Sequence, residues 1–186
     1  MSGSLRTRHF VVLVVVALFL PGSASSQTNS NQASVVLTAT LLESITVTAI
    51  PSAVNFNLTA GAVVGGSTPV AITTAWVLNP TRSSLKLYGS FVSATAALSD
   101  GSGDAIPSAN VLGQVPTGSP TSYTAFTQSV PFGAAGAGLL LYSQSISTAN
   151  LTGIRTDNLS LEIDLTTLSI PAGVYTGTLE IQAQAL

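Results

Sequence analysis

Ser34–Ile50 reads SVVLTATLLESITVTAI. One side of this run carries Val35, Leu37, Ala39, Leu41, Glu43, Ile45, Val47 and Ala49, and the other is mostly Thr and Ser. Such alternation makes a strand with one buried and one wet face. At about 3.3 Å per residue the run would span roughly 50 Å, too long for one strand of a small domain. Two successive strands are therefore expected, with a bend or bulge near Glu43-Ser44, the only charged position on the apolar side. Ile45–Ala49 reads as the first resident strand. Val35–Leu41 reads as a segment that needs a groove, in its own domain or in a neighbour. In an isolated chain the first geometry is expected, a strand that switches sheets at Glu43.

Ahead of this run lies a secretory signal pattern. Arg6, Arg8 and His9 precede the apolar Phe10–Leu20; Pro21-Gly22 then breaks the segment, and small residues continue to Ser26. Cleavage is expected after Ser26 or after Ala24. The expected organisation is a signal peptide over 1–26, a polar leader over 27–33 (QTNSNQA), and a single domain over 34–186.

Beyond the signal, three cations (Arg82, Lys86, Arg155) face seven acids (Glu43, Asp100, Asp104, Asp157, Glu162, Asp164, Glu180). Three scattered cations cannot neutralise a row of phosphates, so nucleic acid is not an expected partner. No second apolar run reaches membrane-spanning length. The sequence has no Cys; its one Met is Met1 and its one His is His9. An exported chain without disulfides must stand on its core and its strand ladders.

The rest of the chain repeats the period-two pattern. Val54, Phe56 and Leu58 predict a short strand, and Gly61–Pro69 a loop. Val70–Val77 and Leu85–Phe91 predict a hairpin around Asn79-Pro-Thr-Arg82, with Trp76 in its core. Residues 99–120 read as a long irregular excursion, with a short strand at Val111-Leu112. Tyr123–Val130 is a further strand candidate. Leu139–Ile146, apolar on both faces, is expected to be central, and 150–156 to be a loop. Leu159, Leu161, Ile163 and Leu165 face inward. After a corner at Leu168–Tyr175, the last strand runs through Leu179, Ile181, Ala183 and Ala185. No stretch has helical periodicity. The expected fold is all-β: an antiparallel immunoglobulin-like β-sandwich of about 7–9 strands. Tyr175, after Pro171-Ala172-Gly173, is expected to act as a tyrosine corner, its phenol bonded to a nearby backbone group.

Two passages carry a family resemblance: VLTATLLESITVTAIPSAVNF over Val36–Phe56 and IPAGVYTGTLEI over Ile170–Ile181. They resemble the opening and closing of spore coat protein U-like and fimbrial, pilin-type domains of bacterial surface proteins. The resemblance implies an immunoglobulin-like sandwich, export to the periplasm or cell surface, and assembly by strand exchange, with a periplasmic chaperone among the implied partners. The chain departs from those domains in having Glu43-Ser44-Ile45 where coat protein U domains usually carry a cysteine, and Ala185 where many pilins end on a penultimate aromatic.

Chemistry is sparse. Without His or Cys beyond the signal, serine triads using His, Cys nucleophiles and the usual zinc and copper sites are excluded. Lys86 lies in a strand pattern (Ser83-Ser-Leu-Lys86), not in the helical context of a Ser-Lys dyad. Glu162, Asp164 and Glu180 read as solvated strand-face acids, with a glycosidase-like acid pair as the weaker alternative. Asp100-Gly-Ser-Gly-Asp104 reads as a solvated turn, with a Ca²⁺ loop as its weaker alternative. Asn57, Asn150 and Asn158 sit in N-glycosylation acceptor patterns that arise readily by chance in a Thr/Ser-rich chain. No catalytic, cofactor-binding or metal residue is assigned. The leading expectation is a secreted, non-enzymatic structural subunit of a surface fibre, pilus or coat, assembling through residues 34–42. The competing expectations are a monomeric binding or adhesion module using the 99–120 loop and, third, a carbohydrate-active enzyme.

Overall fold

The computed structural model describes residues 28–186. The signal region, with Ala24 and Ser26, lies outside the described residues. The described chain divides after Ala39. Residues 28–39 carry no strand, and Val35, Val36 and Leu37 are at least 81% exposed.

From Thr40 onward the chain is all-β. Its strands are β1 (Ser44–Ile50), β2 (Val63–Gly65), β3 (Val70–Val77), β4 (Ser84–Ser90), β5 (Leu98–Ser99) and β6 (Ala105–Ile106). A 3-10 turn (Ser108–Asn110) precedes β7 (Val111–Gln114), β8 (Thr124–Ala125), β9 (Gly138–Ser145), β10 (Thr152–Asp164) and β11 (Glu180–Ala185). Every ladder is antiparallel. One sheet has the order β1-β3-β10-β7-β8, with β2 also on β10. The second has the order β11-β4-β9, and β5-β6 forms a small ribbon.

The alternation explains the packing. Val70, Ile72, Thr74 and Trp76 of β3 are buried while their neighbours are half-exposed. Leu159 and Ile163 from β10 join Leu87, Leu139 and Leu141 from the second sheet in one core, which Phe126, Val115 and Ile106 complete. Trp76, Leu78, Leu85 and Ile146 make a smaller cluster at one end, as expected for Trp76. The Trp76 indole N–H donates to the Asn150 carbonyl at 3.0 Å.

Several expectations are corrected. The first half of the opening run, Val35–Leu41, forms no strand and does not switch sheets at Glu43. Alternation specifies which face of a strand is apolar, but supplies no partner edge. Val54, Phe56 and Leu58 do point into the core, yet no ladder forms there. Asn55 bonds only Ser67. β3 and β4 are not a hairpin: Asn79–Arg82 carries the chain from one sheet to the other. The expected 61–69 loop contains β2, and the expected 150–156 loop contains the start of β10. Of Tyr123–Val130 only Thr124-Ala125 is strand, and the last strand starts at Glu180. Leu139–Ile146 is an edge rather than a central strand. A bulge opposite Leu87/Tyr88 turns both Leu141 and Tyr142 inward, which is why it reads as apolar on both faces.

Candidate functional site

The two flanks of this pair of sheets differ. On one flank β9 meets a polar lid. Gln128 exchanges backbone hydrogen bonds with Gly138 (2.8 and 2.9 Å), and its side-chain oxygen accepts from the Leu140 N–H at 2.9 Å. The Ser119 N–H donates to the Leu141 carbonyl at 3.0 Å. Behind this lid Arg155 stacks on the Tyr142 ring at 4.0 Å and pairs with Asp157 through Nε–Oδ2 and Nη2–Oδ1, both 2.6 Å. The Thr117 hydroxyl donates to Asp157 at 2.8 Å, and Arg155 also reaches the Thr117 carbonyl. The edge is spent.

The opposite flank is open. Among the described residues β1 pairs only with β3, and β11 only with β4. Near the end of β1 and the start of β11, the 51–56 and 177–181 segments border a pocket of about 310 Å³ whose lining includes Ala49, Val54, Phe56, Val70, Leu179 and Ile181; toward the other end Ile45 packs in one cluster with Ala183 and Ala185. Its apolar wall comes mainly from Val54, Phe56 and Leu179, together with core positions such as Val70, Leu161 and Ile163. Phe56, Leu179 and Ile181 remain only half-buried against that core. At the lower end of the small-molecule range of about 300 Å³, and with no convergent charge in its lining, it suits aliphatic side chains. The strand edge beside it carries unpaired backbone groups, a template for another strand.

The open flank has a defined rim. Tyr175 donates its hydroxyl to the Pro171 carbonyl at 3.0 Å, which is the expected corner. Thr176 exchanges two backbone bonds of 2.9 Å with Ser99. Gly177 follows, where a Cβ would run into the Ala97 carbonyl. At the far end Glu43 is clamped. Its carboxylate accepts from the Asn79 N–H (2.6 Å), Arg82 Nε (3.1 Å) and Arg82 Nη2 (2.8 Å). Hydrogen bonds from Arg82, then from Asn79, hold the Glu43 carboxyl down to about 2. Next to this clamp Leu41 and Leu42 are 85% and 77% exposed.

The residues weighed for chemistry do not converge. Glu162 and Asp164 stand on the outward positions of β10, while Glu180 is on β11, in the other sheet, so the weaker reading of these acids as a glycosidase-like pair with Glu180 finds no shared strand face. Lys86 is outward on β4, opposite Gln184 and Ser143. Asp100 Oδ1 is occupied by the N–H groups of Ser102 (2.8 Å) and Asp104 (3.1 Å), as in a solvated turn. The Asn150 amide is engaged with Ser147 and Ser145 inside its own turn. The 99–120 stretch is no free loop: it supplies buried Ile106, Ser108, Val111 and Val115. Among the described residues no group of three or more His, Cys, Asp or Glu side chains could hold a metal, and no helix is long and apolar enough to cross a membrane.

The fold and this flank define an all-β, antiparallel domain with one unpaired apolar flank. No family model matches the chain, and neither a curated protein nor a solved structure matches it.

Proposed function

We propose that the chain is a secreted, non-enzymatic structural subunit of a surface fibre, pilus or coat. In this reading its two sheets form an immunoglobulin-like sandwich, and its copies assemble by strand exchange through residues 34–42. The observation that carries the reading is the pairing of a need with a supply. Among the described residues the β1 and β11 edges beside the pocket have no second strand, and Val35, Leu37 and Leu41 belong to an alternating, exposed segment that forms none. Strand addition of this kind takes affinity from backbone bonds and specificity from alternate side chains. A periplasmic chaperone offering a strand to the same flank before assembly is compatible with it.

The test is size-exclusion chromatography with light scattering on protein starting at residue 27, with and without residues 27–42. A ladder of oligomers that disappears on truncation is expected. An unchanged stable monomer in both would overturn the proposal and favour a monomeric binding module.

A further inference from the structure

We infer that the pocket bordered by the 51–56 and 177–181 segments is a binding site for a small uncharged amphiphile, a single aliphatic chain ending in a hydroxyl or carbonyl group. The site takes nothing from residues 34–42, so it is independent of the strand-exchange reading.

The pocket runs from the surface into the core. Ser52, Ala53, Gly177 and Thr178 are exposed at its mouth, while Val70, Phe91, Val111 and Ile163 at its floor are at most 6% exposed. Protein interiors are close-packed, and voids larger than a water molecule are few. A volume of about 310 Å³ that reaches buried residues of β3, β7 and β10 exceeds ordinary packing slack. It stays open because Ala49 and Ala53 are small, and because the 51–56 and 177–179 segments form no ladder that would draw them together.

Its chemistry selects the occupant. No charged side chain lines it, and its side-chain polar groups are the hydroxyls of Ser52 and Thr178, both at the mouth. Backbone donors gather at the same place: among the described residues the N–H groups of Gly177 and Thr178 have no hydrogen-bond partner. An aliphatic chain gains free energy by leaving water for the floor, and a hydroxyl or carbonyl oxygen can accept from the mouth. A charged head would give up water with no opposite charge in the lining. An anionic head would in addition approach Glu180, next to Leu179 in the chain. A dry apolar cavity of roughly 150 Å³ holds one benzene, so about 310 Å³ suits a chain of roughly ten to twelve non-hydrogen atoms.

The experiment titrates decan-1-ol, below its solubility limit, into protein starting at residue 27, by calorimetry and by amide hydrogen exchange. Decanoate is the charged comparison. A49F and A53F each place a ring in the pocket from its edge, and their thermal midpoints verify folding. The expected result is saturable one-to-one binding of decan-1-ol, with new protection confined to residues 49–56 and 177–181. Decanoate should bind at least tenfold more weakly, and each folded variant should bind decan-1-ol at least tenfold more weakly than wild type. No saturable binding by wild type, or equal binding by wild type and both variants, would overturn the inference. Equal affinity for decanoate would overturn the assignment of an uncharged head. Protection of the same residues by a peptide of residues 34–42, with none by decan-1-ol, would overturn the amphiphile site while leaving the strand-exchange reading intact.

Discussion

Arg155 and Asp157 stand two residues apart on β10 and form a bidentate ion pair, with both N···O distances 2.6 Å. Their side chains share the inward side of the strand. The Asp157 side chain is 3% exposed and the Arg155 side chain 29%. An ion pair placed here is worth little against an apolar pair of the same shape, but breaking one half leaves a buried charge. R155M is therefore expected to cost about 3 kcal/mol, since only the Thr117 hydroxyl would remain on Asp157. The double variant R155M/D157L should recover most of that loss. Urea unfolding of the three proteins checks it, and equal stability of R155M and wild type would count against a structural role for the pair.

Phe126 is fully buried and packs edge-on against Phe91, with centroids 5.2 Å apart. It also fills the space above Gly113, where a Cβ would meet Leu139, Leu159 and Phe126 at 3.0–3.1 Å. F126A should lose about 3–5 kcal/mol through lost burial and a cavity. G113A should lose about 1–3 kcal/mol through overpacking. Denaturant titration separates both from exposed controls such as T48S, for which no change is expected.

The Tyr175 hydroxyl bonds the Pro171 carbonyl four residues earlier, fixing the corner that leads into Gly177 and the open flank. Y175F is expected to lower the thermal midpoint by about a few degrees at most. It should also raise amide exchange at Thr176 and Ser99, whose two mutual bonds depend on that corner. Unchanged exchange at both positions would show that the phenol pins nothing.

Acid should act on the clamp. The Glu43 carboxyl is lowered to about 2, first by the Arg82 hydrogen bond. Asp100 is lowered by the Ser102 N–H, and Asp164 by the Thr166 hydroxyl. A folded-state value below the unfolded one means stability present above the unfolded value and lost as pH falls through the folded one. The thermal midpoint should hold level above about pH 4.5 and decline toward pH 2, with a smaller decline in E43A. A midpoint that rises or stays flat down to pH 2 would contradict the clamp.

Much of the fold was legible because burial and the period-two pattern coincide. β3 and the inward residues of β10 are examples, as is the Tyr175 corner. What the pattern hides is which edge each strand uses. Val70–Val77 and Leu85–Phe91 look like hairpin partners, yet they sit in different sheets, since a short connection (residues 78–83) serves a crossover as well as a turn. The start of β10 was hidden because its residues are polar or small for tertiary reasons. Gly153 lies under the Trp76 ring, where a Cβ would clash, and Asp157 is buried only because Arg155 arrives with it. The 99–120 stretch reads as a long irregular excursion from its Gly, Ser and Pro content, and Ile106, Val111 and Val115 anchor it in the core. The pocket left no mark in the sequence, because its walls are apolar positions such as Val54, Phe56 and Leu179 in segments that form no ladder, joined by ordinary core residues of other strands.

A flank partly covered at β9 and an open one at β1 and β11 make each copy a directional object. If residues 34–42 fill the open flank of the next copy, every subunit has one plug and one socket, and no subunit can accept two. The contact is then head-to-tail, and unless its rotation closes a ring it propagates without branching. The two ends of such a thread would differ: one would carry an empty socket, the other an unspent plug. A single equivalent of free plug peptide per thread would therefore stop growth at one end and leave the other untouched.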